Sequence, residues 1–151
     1  MDFAAAFQTD ATAEEKGRWY EFGDVEFLIA RSGNRKSTDM FQQQFTAHKH
    51  TLDLNDTPEQ RLAAEERATT IQVDVMAAAI LLGWRGREIK DETVEGGVRV
   101  GKVLFEGIEL EYNQANAKKM LRMKDFRAWV NTKSGDFKNY LAKVKEEDAK
   151  N

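Results

Sequence analysis

The stretch from Gly17 to Asn34 reads GRWYEFGDVEFLIARSGN and decides the N-terminal part of the fold. Two runs rich in aromatic and β-branched residues flank the pair Gly23-Asp24, which is typical of the tight turn in a β-hairpin. We therefore predict strands near residues 18–22 and 25–30. The polar residues that follow form a turn, and Asn34 is placed to cap a helix that runs to about His50.

Composition and charge limit the function classes to which the chain can belong. Its 151 residues are 41% hydrophobic and 32% charged, which suits one domain with a modest core. The net charge is −3 and acidic and basic residues are interspersed, whereas nucleic-acid binding normally needs a basic stripe. The absence of cysteine removes disulfides, thiolate metal ligands and cysteine nucleophiles. We therefore expect no nucleic-acid partner.

Hydropathy argues against a membrane-spanning segment. The longest apolar run, Val75 to Leu82, covers eight residues, and a helix that spans a bilayer needs about 20. The first residues of the sequence lack the basic n-region of a secretory signal peptide. We therefore expect a cytoplasmic protein with no membrane partner.

The clearest signal for the start of a helix is the sequence Thr57-Pro58-Glu59-Gln60. Thr57 suits the N-cap of a helix, Pro58 suits its first position, and Gln60 can complete a capping box. Apolar residues then recur at helical spacing, so we predict a core helix that ends near Leu82. Gly83 is placed to terminate this helix as its C-terminal cap.

The second half of the chain begins with a glycine-rich, charged stretch at 84–101, which indicates an extended loop with an edge strand at 98–100. A second hairpin should follow, because two short runs of alternating residues flank Glu106-Gly107. The predicted strands and helices of this half are Val103 to Phe105, Ile108 to Tyr112, a helix from Asn113 to about Met123, another from Asp125 to about Lys133, and a last one from Ser134 or Asp136 to about Glu147.

These patterns together predict an α+β, predominantly helical fold. An N-terminal β-hairpin is followed by a helical domain that carries a second short β-hairpin. We divide the chain into a flexible N-terminal segment at 1–16, a single α+β domain at 17–147 and a polar tail at 148–151.

No group of residues in the sequence is typical of an active site or a metal centre. His48 and His50 stand two apart, so a helix would point them to different sides. The glycine cluster at 96–101 lacks the Lys-Ser or Lys-Thr of a phosphate-binding loop. Adjacent carboxylates lie among other charges, and no serine sits in a nucleophile elbow. The sequence therefore predicts no catalytic, cofactor-binding or metal-binding residues, and we expect that the protein is not an enzyme.

Aromatic residues recur at helical spacing near the C-terminus, among them Phe126, Trp129 and Tyr140. They either pack the last helices against the core or form a surface for a partner, because Trp and Tyr are favoured anchors of interfaces. Arg31 and Asn34 also have two interpretations. In the structural one, Asn34 caps a helix and Arg31 pairs with a carboxylate; in the other, both bind a partner. We name the three aromatic residues as candidate partner-binding residues, and Arg31 and Asn34 as determinants of the hairpin–helix junction.

The order of several short motifs resembles that of the tail assembly chaperones of long-tailed, non-contractile bacteriophages. That family typically opens with an aromatic strand, here Trp19-Tyr20. A second strand ends in a pattern like I-A-R-x-G-N, here Ile29 to Asn34, and a charged helix follows.

The resemblance continues to about residue 145. A glycine-tryptophan pair follows an apolar helix, here Leu81 to Trp84, and a later hydrophobic strand, Ile108 to Tyr112, precedes an asparagine-containing helix. The residues of that helix that match are Asn113, Asn116, Ala117 and Leu121. Two features depart from the family: the loop at 85–101 is longer than usual, and the last helices are rich in lysine.

The resemblance implies a non-catalytic protein of the host cytoplasm that acts during tail assembly. Such chaperones bind the tape measure protein, keep it soluble and help to recruit subunits of the tail tube. The expected partners are therefore the tape measure protein and the tail tube protein. An alternative is a structural tail completion or connector protein that stays in the virion, and a small enzyme is a third hypothesis.

Overall fold

The computed structural model describes residues 1–142, and its architecture confirms the predicted α+β, predominantly helical class with an N-terminal hairpin and a second short hairpin. The described helices are α1 (Phe3–Ala6), α2 (Ala11–Lys16), α3 (Arg35–Ala47), α4 (Lys49–Asp53), α5 (Pro58–Ala79), α6 (Gln114–Leu121), α7 (Lys124–Gly135) and a 3₁₀ helix (Phe137–Tyr140). The described strands are β1 (Arg18–Phe22), β2 (Val25–Ile29), β3 (Leu81–Gly86), β4 (Glu88–Lys90), β5 (Val98–Val100), β6 (Leu104–Phe105) and β7 (Ile108–Glu109).

The predicted N-terminal hairpin is confirmed and forms two strands of a three-stranded antiparallel sheet. Phe22 pairs with Val25 across the two-residue turn, and Gly23 takes the positive φ of 61° that such a turn needs. Alternate residues of β2 are buried, so Val25, Phe27 and Ile29 face the core. The third strand is β3, which pairs with the other edge of β2.

The C-terminal end of the long helix differs from its prediction. The capping box at Thr57 and Gln60 is present, but α5 ends at Ala79, and Gly83 lies inside β3 rather than at a helix cap. Leu81 enters the sheet directly opposite Ile29, and the Ala30 N–H donates to the Ile80 carbonyl at 2.8 Å. The helix therefore stops where pairing with β2 takes over its backbone groups.

The stretch predicted as an extended loop contains the end of β3 and two further strands. Residues 81–86 form β3, and β4 pairs with β5 in a separate antiparallel ribbon, so the predicted edge strand at 98–100 is confirmed but has a partner. The ribbon crosses the turn of the N-terminal hairpin at very short range, because a Cβ at Gly101 would lie 1.8 Å from the Asp24 carbonyl oxygen. Only glycine fits at this crossing.

The second hairpin is shorter than predicted but has the expected turn. Phe105 pairs with Ile108, and the two turn residues Glu106 and Gly107 have φ values of 51° and 81°. Positive φ at both central positions is the signature of a type I′ turn, which matches the twist of paired strands.

The core lies between the three-stranded sheet and the C-terminal half of α5, with α6 and α7 completing it. Residues from each of these elements are fully or almost fully buried, among them Phe27, Ile29, Val73, Met76, Leu81, Leu121 and Val130. Helix α5 also packs against α3 and α4. It therefore connects the core to the two helices that precede it.

The segment at 1–16 contains α1 and α2 and contacts the end of the described chain. Asp10 N–H donates to the Tyr140 carbonyl at 2.8 Å, and Thr9 bridges to Leu141. A 3₁₀ helix replaces the beginning of the predicted last helix. The rest of that predicted helix and the predicted polar tail at 148–151 lie outside the described residues.

Candidate functional site

An open groove of about 760 Å³ lies between the hairpin turn, the α6–α7 corner and the second hairpin. We call it the aromatic groove. It is lined by Phe22, Gly23, Asp24, Val25, Phe27, Lys102, Val103, Leu104, Met120, Met123, Asp125, Phe126 and Trp129. Most of these side chains are apolar, and three charged residues, Asp24, Asp125 and Lys102, interrupt the lining. An apolar concave surface with a few charges is the usual form of a binding site.

Four aromatic rings are packed together on one side of the aromatic groove. The ring of Phe22 meets Trp129 edge to face, with ring centroids 5.2 Å apart. Phe27 lies 5.1 Å from Phe126 and 5.7 Å from Trp129. Edge-to-face and tilted contacts at these distances are favourable, so the rings hold one another in place. Phe22 is nevertheless 55% exposed, so much of its surface is available to a partner.

A second wall of the groove combines the second hairpin with two methionines. Leu104 in β6 is 57% exposed, and Met123, which precedes α7, is 40% exposed. Met120 is buried. Methionine is flexible and polarizable, so this wall can adapt to the shape of a bound side chain.

Two arginines fix the turn that closes one end of the groove. The Arg87 N–H and its Nη1 donate to the carbonyls of Asp24 and Gly23, at 2.8 and 2.7 Å. Arg99 on β5 donates to the Asp24 carboxylate at 3.0 Å. The β4–β5 ribbon therefore holds the hairpin turn through backbone and side-chain contacts, in addition to the close crossing at Gly101.

The corner between α6 and α7 carries the remaining wall. Asn113 caps α6 by accepting from the Asn116 N–H at 2.7 Å. Arg127 in α7 donates to the carbonyl of Leu121 at 2.9 Å, so it satisfies a carbonyl that the end of α6 leaves without a helical partner. Both contacts are local, and they set the direction in which α7 presents its aromatic residues.

The predicted partner-binding residues lie in two different environments. Phe126 and Trp129 are half-buried residues of α7 that line the aromatic groove and also pack against the core. Tyr140 is fully buried, and its hydroxyl donates to the Ile29 carbonyl at 3.0 Å. Burial raises the pKa of the Tyr140 hydroxyl well above its usual range. Tyr140 therefore belongs to the core and is out of reach of a partner in this structure, because its hydroxyl closes the contact between the C-terminal region and β2.

Arg31 pairs with a carboxylate, as its structural interpretation predicted. Its Nη1 donates to Glu14 at 2.8 Å, and the Glu14 carboxylate also accepts from Thr9. The Arg31 N–H donates to the Glu14 carbonyl at 2.9 Å. Arg31 therefore joins the hairpin–helix junction to α2, a contact between distant residues that sequence spacing could not reveal.

Asn34 makes the predicted cap and a second contact that sequence reasoning missed. Its Oδ1 accepts from the Ser37 N–H at 2.9 Å, which caps α3. Its Nδ2 donates to the Ala79 carbonyl at 3.0 Å, at the C-terminal end of α5. Lys36 Nζ donates to the neighbouring Ala78 carbonyl at 3.0 Å. Side chains at the start of α3 thus donate hydrogen bonds to carbonyls at the end of α5 that lack a helical partner.

Within residues 1–142, no group of three or more His, Cys, Asp or Glu side chains is arranged to hold a metal ion. In the same part of the chain, no helix is both long and apolar enough to cross a membrane. A second depression of about 770 Å³ lies beside Asn34, but charged residues such as Lys36 and Asp39 line much of it. The aromatic groove is therefore the apolar binding surface that contains two of the predicted residues.

Comparison with known proteins places the chain among phage proteins. The sequence profile of the YdaY prophage protein family matches residues 23–151, so the chain belongs to that family. The match begins at the hairpin turn and includes every segment that lines the aromatic groove except Phe22. No curated protein and no solved structure matches the chain. This is a phage-derived protein.

Proposed function

We propose that this phage protein is a non-catalytic tail assembly chaperone that holds an apolar segment of the tape measure protein in its aromatic groove. The observation that carries the proposal is the groove itself, because it exposes large apolar side chains such as Phe22 and Leu104 next to charged residues. Exposed apolar clusters of this kind, rimmed by charge, mark protein interaction sites. The order of motifs shared with phage tail chaperones points to the tape measure protein as the occupant.

The proposed task explains why such a surface is left open. A tape measure protein must stay soluble until tube subunits enclose it, and its apolar segments are liable to aggregate before then. Apolar surface of the tape measure protein that the groove covers is removed from water, and each Å² buried in this way favours binding by about 25 cal/mol of free energy. The chaperone would act in the host cytoplasm and recruit the tail tube protein as a second partner.

Co-expression with the tape measure protein of the same phage tests the proposal. The tape measure protein should be captured with an affinity-tagged chaperone, and its soluble fraction should rise when the chaperone is present. If the tape measure protein is equally insoluble with and without this chain, the chaperone function is refuted. Detection of the chain in purified virions would then support the alternative, a structural tail component.

A matched pair of variants tests whether the aromatic groove is the site. Phe22→Ala removes an exposed ring from the groove and should weaken capture about tenfold, as expected for an anchor residue. Trp19→Ala is the control, because Trp19 is 37% exposed but stacks on Arg85, away from the residues that line the groove. Equal capture by the Phe22 variant and the unmodified protein would exclude the groove.

A further inference from the structure

Three backbone carbonyls of the groove walls already accept hydrogen bonds from within the protein. The carbonyls of Gly23 and Asp24 already accept from Arg87, at 2.7 and 2.8 Å. On the other wall, the Val103 carbonyl accepts from the Leu110 N–H at 2.8 Å. Strand β6 is two residues long, so its outer edge is too short to add a strand in β-augmentation. These features favour an occupant that satisfies its own backbone hydrogen bonds.

The three charged side chains of the groove differ in whether they already form an ion pair within the protein. Asp24 is held by Arg99 at 3.0 Å. Lys102 lies 3.9 Å from Glu109, and both side chains are more than half exposed, so this pair is weak. Asp125 is exposed and makes no ion pair with any residue between 1 and 142. A partner therefore finds one acidic group, at Asp125, and one weakly held basic group, at Lys102, beside the apolar floor.

We propose that the aromatic groove takes an amphipathic α-helix that carries a basic residue opposite Asp125 and an acidic residue opposite Lys102. This inference rests on the proposed function and specifies the segment of the tape measure protein that is bound. An α-helix pairs its backbone internally and presents a stripe of apolar side chains at i, i+3, i+4 and i+7. That stripe meets the exposed side chains of Phe22, Leu104 and Met123, and the two flanking charges fix the direction in which the helix lies.

Overlapping peptides that cover the tape measure protein of the same phage are the probe. Peptides of about 25 residues exceed the ~12–15 that a helix needs in water. Binding is measured by fluorescence anisotropy, and the tightest peptide is then remade with a proline at its centre. Proline breaks the helix but leaves the other apolar side chains in place, so affinity should fall at least about tenfold. Helical circular dichroism should increase when the unmodified peptide binds.

Charge reversal tests the orientation of the helix. Asp125→Lys should weaken binding of the peptide about threefold to fivefold at low salt, and a peptide in which the facing basic residue is reversed to Glu should restore it. Glu65→Lys is the matched control, because it makes the same change of charge on an exposed residue of α5 outside the groove. Both variants are checked for folding by circular dichroism, since Asp125 also lies in the first turn of α7.

The outcomes separate this inference from the proposed function. If the full-length tape measure protein is captured and Phe22→Ala weakens capture as expected, but no peptide binds or the proline peptide binds equally well, the helical occupant is refuted and the chaperone remains. If Asp125→Lys and Glu65→Lys have the same effect, the assigned orientation is wrong. If neither the full-length protein nor any peptide binds, the proposed function itself fails.

Discussion

Replacing Asn34 tests whether a single side chain holds two helix ends together. The Asn34 side chain caps α3 through Ser37 and donates to the carbonyls of Arg31 and Ala79, at 2.8 and 3.0 Å. Only 6% of the residue is exposed, so water cannot readily replace these bonds in a variant. Asn34→Ala should therefore cost more than the loss of an ordinary cap.

The magnitude follows from the individual contacts. Loss of the cap costs about 1 kcal/mol. The Arg31 carbonyl keeps the Asn34 backbone N–H as a donor at 3.2 Å, whereas the Ala79 carbonyl loses the side-chain donor described above. A buried acceptor left unpaired adds about 1–2 kcal/mol. The free energy of unfolding should fall by about 2–3 kcal/mol, which lowers the melting temperature by about 5–10 °C for a domain of this size.

Asn113 provides the matched control. It also caps a helix through its Oδ1, at 2.7 Å from the Asn116 N–H, but it is exposed. Asn113→Ala should cost about 1 kcal/mol or less. Substitution by aspartate sharpens the comparison, because Asn and Asp are equally good caps. Asn113→Asp should be neutral, whereas Asn34→Asp places a carboxylate against two carbonyl oxygens and should be at least as harmful as alanine.

Urea titration followed by far-UV circular dichroism measures all four variants. The linear dependence of unfolding free energy on urea gives each difference, provided that the slopes agree. The reasoning is refuted if Asn34→Asp is as stable as the unmodified protein, or if Asn34→Ala loses no more than Asn113→Ala. Either result would mean that the contact with Ala79 contributes nothing to stability.

Three further predictions concern single residues of the core and turns. Because the pKa of Tyr140 is raised, the stability that it contributes is present below the ordinary tyrosine pKa of about 10 and is lost as the pH rises above it. Tyr140→Phe, which removes the bond to Ile29, should cost about 1 kcal/mol near pH 7 and make unfolding less dependent on alkaline pH in urea titrations. Gly101→Ala should destabilise by at least about 1–3 kcal/mol, because its Cβ would collide with the Asp24 carbonyl; a neutral result in thermal melts would show that the ribbon moves freely. Glu106→Asn should instead raise the melting temperature slightly, because asparagine favours the positive φ of 51°, and a lower melting temperature would contradict the type I′ assignment.

Local signals in the sequence predicted the elements that depend on neighbouring residues. The hairpin around Gly23-Asp24 and the capping box at Thr57 and Gln60 were both confirmed. In each case the residues that specify the structure lie within a few positions of one another, so a pattern in the sequence is sufficient. The turn at Glu106-Gly107 is a further example.

Strand β3 could not be predicted in the same way. Its sequence follows an apolar helix without a break, and Gly83 is a common signal for a helix end. The edge of β2 decides the outcome, because Leu81 pairs with Ile29, about fifty positions earlier in the chain. The second contact of Asn34 has the same character, since Ala79 lies 45 positions away. At β3 the distant partner overrode the local signal, whereas at Asn34 it added a contact to the predicted cap.

The aromatic groove shows how far sequence can define a site that no motif marks. The helical spacing of Phe126 and Trp129 identified one wall, but their neighbours come from the hairpin turn and from the stretch at 102–104. The same pattern also predicted Tyr140 as a partner-binding residue, but its hydroxyl donates to the Ile29 carbonyl inside the core. Spacing shows which residues share a helix face, and only packing against the sheet decides which of them a partner can reach. A binding surface of this kind consists of the apolar side chains that the core leaves uncovered. Phe22 ends the first strand of the hairpin, yet its exposed ring contacts Trp129 and belongs to the surface as much as helix α7 does.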